Sequence, residues 1–143
     1  MKEILSADGV LLHLVIRQAD FPTESAGRID IIDSSQFIQL AIMNFDSGSK
    51  FAPHAHLERI RTFDNLRAQE SWVVITGKVR VTYFDELDKI VSSEDLGPGD
   101  CSVTLFGGHG YEILENSTRI FEFKTGPYEG QEIDKRFITL NYS

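Results

Sequence analysis

The chain has 143 residues, 41% hydrophobic and 25% charged, with a formal net charge of −8. That length suits one soluble domain with a hydrophobic core. The charge argues against non-specific binding to nucleic acid or anionic membrane, since both need a positive surface.

No apolar run approaches the roughly 20 residues that span a bilayer. The stretch Gly9 to Ile16 is short, contains His13 and follows acidic residues, so it does not read as a secretory signal. The single cysteine, Cys101, allows no internal disulfide, and a cytoplasmic protein is the expectation.

In chain order, residues 1 to 8 read as an irregular lead-in, with turn chemistry at Ala7, Asp8 and Gly9. Val10 to Arg17 reads as a strand, and Phe21 to Gly27 as a loop marked by Pro22 and Gly27. Arg28 to Asp33 is a short strand. Gln36 to Phe45 is a longer one, with Phe37, Gln39, Ala41, Met43 and Phe45 on one face. Leu57 to Arg67 settles on no period and reads as an exposed excursion.

Gln69 to Thr76 and Lys78 to Phe84 are rich in Val and Ile and predict a hairpin about Gly77. Lys89 to Glu94 follows as a polar strand, and Leu96 to Asp100 as a tight Gly/Pro turn. Cys101 to Phe106, Tyr111 to Leu114, Arg119 to Lys124 and Arg136 to Leu140 complete about ten short strands. With no long amphipathic helix and no internal repeat, the pattern indicates an all-β sandwich or barrel, jelly rolls included.

Three of the four histidines stand in two short stretches, His54-Ala55-His56 and Gly107-Gly108-His109-Gly110-Tyr111. On an extended backbone His54 and His56 project from one face. Joined by a carboxylate from the next strand and a third imidazole, they can grip one transition metal. Fe, Mn, Ni, Zn and Co all suit three nitrogens and one oxygen, with open positions left for a substrate. Alternation lets only one of Gln69 and Glu70 face inward.

Gly48-x5-His54-x-His56 with Glu70-x6-Gly77 resembles the first motif of the cupins. Pro98-Gly99-Asp100 through His109 resembles the second. Thirteen residues, 57 to 69, separate His56 from Glu70 and read as an extended loop. The resemblance covers a motif core of 48 to 116, with N-terminal strands in 1 to 35 and an extension at 125 to 143. It implies a cupin-type jelly-roll β-barrel of two antiparallel sheets, and His54, His56, Glu70 and His109 as metal ligands. The offset to Gly77 selects Glu70 over Gln69.

Other residues have plainer readings beside functional ones. Tyr111, two residues after His109, is a candidate proton donor, or else a core ring with its hydroxyl satisfied. Trp72 and Tyr83 read as side chains lining the interior. Phe121 and Phe123 are expected between the sheets, which sends Glu122 and Lys124 to solvent; were a pocket to occupy that space instead, the charged pair would line it. Arg59, Arg61 and Arg67 read as a solvated run able to meet a phosphate, and Cys101 as a buried structural thiol.

Three functions follow as expectations: a metal-dependent oxygenase or isomerase, a metal-independent sugar-nucleotide isomerase or epimerase, and a non-catalytic module for a small polar ligand. A homodimer is expected, with a terminal segment at its interface.

Overall fold

The computed structural model describes residues 1–22, 27–55, 67–126 and 135–139. Among these are ten strands and one 3-10 turn, Gln18–Asp20. The strands are β1 (Lys2–Leu5), β2 (Leu11–Ile16), β3 (Gly27–Asp30), β4 (Ala41–Asn44) and β5 (Glu70–Thr76). They continue with β6 (Val79–Phe84), β7 (Ile90–Leu96), β8 (Cys101–Thr104), β9 (Gly108–Ile113) and β10 (Arg119–Lys124).

The protein is all-β, and every pairing is antiparallel. A five-stranded sheet has the order β1-β2-β8-β5-β10, a three-stranded sheet β7-β6-β9, and β3 pairs with β4. The described strands do not close into a barrel. Among the described residues no helix is long and apolar enough to cross a membrane.

At its inner strands β2 and β8 the five-stranded sheet is buried on both faces. Toward the three-stranded sheet, Val15 and Val74 meet Val79, Val81, Tyr83 and Leu96. On the opposite face, Leu14, Ile16, Cys101 and Val103 pack against Ile32 and Ile42, with Ile38 and Leu40 beside them. All four residues of β8 are therefore buried, and five of the six in β2. Alternation assigns the polar residues to their sides: Ser102 and Thr104 face the three-stranded sheet with His13, while Cys101 and Val103 face away.

Several expectations need correction. The two strands flanking Gly77 are not a hairpin, because β5 and β6 belong to different sheets. The corner is fixed by its surroundings. Gly77 has φ +82°, and a Cβ there would lie 2.2 Å from Thr118 Oγ1. Lys78 N–H also donates to that hydroxyl, at 3.2 Å. Val and Ile suit a strand equally well in either arrangement, so composition carries no sign of the crossing.

Lys2–Leu5, read as irregular, is a strand on the edge of the five-stranded sheet. The strand expected over Gln36 to Phe45 shrinks to Ala41–Asn44. Side chains supply the preceding hydrogen bonds instead. Ile38 N–H donates to Gln69 Oε1 at 2.7 Å, and Gln39 Nε2 donates to Gln36 O at 2.6 Å. Lys135 to Thr139 has no regular structure, and Leu140 lies outside the described residues.

Candidate functional site

An open cleft of about 990 Å³ lies at one end of the two larger sheets. β5 contributes Glu70 and Trp72, β9 His109 and Tyr111, and β10 Glu122 and Lys124. Phe84, Gly107 and Gly108 form another side, and Lys135 to Ile138 border it.

Glu70 reaches the cleft by strand alternation, flanked in register by Thr104 of β8 and Lys124 of β10. Gln69 points to the other face, where its amide bonds Ile38 N and Gln36 Oε1. His109 stands in β9 opposite Tyr83, and its Nε2 lies 3.1 Å from Glu70 Oε1. Glu70 is only 5% exposed. Burial pushes its carboxyl up, but the hydrogen bond and charge of His109, with Lys135 and Lys124 nearby, outweigh burial and hold it below the usual range. A carboxylate can only accept, so His109 Nε2–H donates to it. That leaves His109 Nδ1, which is buried without a hydrogen-bond partner among the described residues.

The ring of Tyr111 stacks on Trp72 with centroids 3.6 Å apart and planes 1° from parallel. Trp72 Nε1–H in turn donates to Glu122 at 3.3 Å. The Tyr111 ring is thus packed as expected, but its buried hydroxyl has no partner among the described residues. Ser102, which Tyr83 already engages at 2.9 Å, lies near enough to oppose the rise in the Tyr111 pKa but makes no well-formed hydrogen bond to its hydroxyl. Burial, reinforced by the charge of Glu70, pushes the Tyr111 hydroxyl far above its ordinary pKa, so it keeps its proton.

His13 lies behind this wall, and no motif pointed to it. The ring is fully buried; Nε2–H donates to Phe84 O at 3.0 Å, and Nδ1 meets Thr104 Oγ1 at 3.2 Å. Burial lowers its pKa to about 4, against the raising effect of the Phe84 bond, and the charge of His109 adds to the lowering. Gly107 packs against the same place. Its φ is +76°, and a Cβ would fall 2.3 Å from Phe84 O and 3.2 Å from His13 Nε2. The available signal was a polar residue in the apolar run Leu11 to Ile16, on the face that also carries Val15.

Of the four expected metal ligands, Glu70 and His109 come together. His54 sits on an exposed irregular stretch, with Nδ1 3.0 Å from Ala52 O, and is not among the residues lining the cleft. His56 lies outside the described residues, as do Arg59 and Arg61. Among the described residues no group of three or more His, Cys, Asp or Glu is placed to hold a metal ion. The pair that is present suits adjacent ligands of one ion, since donors about 2.1 Å from a metal at right angles stand about 3.0 Å apart.

The second motif's turn is structural in what it contacts. Asp100 accepts from Gly97 N and Gln18 N at 3.0 Å each and pairs with Arg17 at 2.9 Å. Cys101 is buried with Sγ 3.2 Å from Ser71 Oγ, and burial pushes its thiol up. Tyr83 is fully buried in the core, whereas Trp72 lines the cleft. Arg67 lines it too, paired with Glu86 at 2.5 Å.

The strand β10 corrects the expectation for its two faces. Phe121 and Phe123 are 59% and 57% exposed, while Glu122 and Lys124 line the cleft. The space between the sheets belongs to the face that carries Ile120, and alternation puts the charged pair on that same side. No family model, curated protein or solved structure matches the chain.

Proposed function

We propose that the cleft binds a small polar molecule and that Glu70 and His109 act on it as an acid–base pair, in a chain of cupin type. The reaction this favours is a metal-independent isomerisation or epimerisation of a sugar derivative. The observation that carries the reading is a nearly buried carboxylate hydrogen-bonded to an imidazole in the wall of an open cleft. A carboxylate that orients an imidazole is the arrangement that tunes a ring for proton transfer. The pair would take a proton from a carbon beside a carbonyl, leaving an enolate, and return it at a neighbouring carbon or on the opposite face.

Such a reaction exchanges substrate hydrogen with solvent. The test is proton NMR in D2O with a panel of sugar phosphates and nucleoside-diphosphate sugars. The wild type is expected to exchange one C–H of a ligand that it binds, and His109→Gln to bind without exchange. Binding with no exchange by the wild type would reduce the protein to a ligand-binding module.

A second reading is a divalent metal (Fe, Mn, Ni, Zn or Co) held by Glu70 and His109, the motif's other two ligands being His54, which stands away from the cleft, and His56, outside the described residues. The 3.1 Å separation of Glu70 Oε1 and His109 Nε2 favours it. A bound ion would act as a Lewis acid toward a substrate oxygen. Metal analysis of protein purified without chelator distinguishes the two: stoichiometric metal, lost in His109→Ala, supports the second.

A further inference from the structure

We infer that the outer edge of β10 joins a second copy of this chain, antiparallel, with Phe123 facing its own counterpart across a two-fold axis. This goes beyond the reading of the cleft and does not depend on it. β10 ends the five-stranded sheet, and among the described residues no strand pairs with its far side. The sheet's other edge is different: β1 is tied to the three-stranded sheet by Lys2 and Glu94, 2.5 Å apart.

The hydrogen-bond pattern fixes which residues such a contact can use. Thr125 N–H donates to Gln69 O at 3.0 Å, and Val74 uses its N–H and C=O on Asp100 and Gly99. Antiparallel alternation then aims the main chain of Phe121 and Phe123 at β5, and that of Ile120, Glu122 and Lys124 outward. Self-pairing must therefore run through the outward set.

Charge chooses among the registers that remain. A register centred on Glu122, or on Lys124, sets like charges face to face, which destabilises a sheet. One centred on Phe121 sets Glu122 opposite apolar Ile120. The register centred on Phe123 sets Glu122 opposite Lys124 twice, once on each side of the axis. It also makes Phe123 a close, non-hydrogen-bonded pair with itself, covering a ring that is 57% exposed in the single chain. Since Glu122 and Lys124 line the cleft, each copy would complete the rim of the other's cleft.

Sedimentation of the full chain at tens of micromolar tests this, with circular dichroism to check each variant's fold. The wild type is expected to be a dimer, and Phe123→Lys a folded monomer. Glu122→Lys should weaken dimerisation about tenfold or more, because two attractive contacts become repulsive. Adding Lys124→Glu to that variant should restore the dimer. If Phe123→Lys does not fold, the charge-swap pair still decides. A monomeric wild type would mean that something else, such as another segment of this chain, covers the edge. That result, or a dimer indifferent to Glu122→Lys, would overturn the proposal.

Discussion

His13 and His109 stand on facing sheets, and the regions around them are built differently. Around His13 each polar side-chain atom is matched: the ring holds Phe84 O and Thr104 Oγ1, and Tyr83 holds Ser102. Around His109 the matching is incomplete, because its Nδ1 and the Tyr111 hydroxyl are buried without partners among the described residues. Buried polar groups in folded proteins are nearly always satisfied, so unused capacity needs a reason. The first region is closed structure. The second holds two unmatched polar atoms in the wall of an open cleft.

The contrast is broken most directly by truncating each ring. His13→Ala should cost about 3–5 kcal/mol, since it leaves a cavity and strands a buried carbonyl and hydroxyl. His109→Ala, at the cleft wall, should cost less than about half of that. Urea unfolding of both variants measures the difference, and equal losses would abolish the distinction.

The next largest effect is one of pH. An unfolded chain protonates His13 as pH falls through its ordinary 6.5, whereas the folded protein keeps it neutral down to about 4. The unfolded state takes the proton first, so stability is full above pH 6.5 and falls as pH is lowered toward 4. The loss approaches roughly 3 kcal/mol, by the free energy of a shift of that size. His13→Asn should flatten this slope, measured as denaturation midpoints across that range. An unchanged slope would assign the dependence to other groups.

Adjacent glycines sharpen the comparison. Gly107→Ala should cost about 2 kcal/mol or more, because φ is +76° and the new Cβ meets the backbone oxygen of Phe84 at 2.3 Å. Gly108→Ala is crowded by Ile138 Cδ1, at 2.4 Å, the movable end of a side chain, while Phe84 Cβ at 3.5 Å is ordinary contact. It should cost less than about 1 kcal/mol. Thermal melting of the two side by side checks this, and the reverse order would contradict it.

The smallest effect concerns two hydroxyls. Tyr83→Phe removes a partner from Ser102 and should cost about 1 kcal/mol. Tyr111→Phe removes a hydroxyl with no protein partner among the described residues and should be neutral or slightly stabilising. If Tyr111→Phe is the costlier of the two, that hydroxyl is satisfied after all.

Much of the architecture could be read from local pattern. The β-branched runs of β5 and β6, the alternation of Arg119 to Lys124 and the Gly-Pro turn before β8 all form where their residues predict. Of the site, Glu70 over Gln69 and the nearness of Glu70 to His109 were legible through the motif resemblance: strand parity lets only one of Gln69 and Glu70 face inward, the offset to Gly77 picks Glu70, and the second motif brings in His109. His13 was not, because a lone histidine in an apolar run carries no spacing to read.

What the sequence by itself determined is the class, all-β, and which residues share a strand face, because the two-residue period of an extended chain is a local property. Only the tertiary structure decided which face is the inside. It turned β10's phenylalanines outward and its charges toward the cleft, sent β6 to a different sheet from β5, and set His13 behind His109. Strand parity is written in the chain's own geometry. Inside and outside exist only after distant strands have paired, because burial depends on what covers a face rather than on the residues it carries.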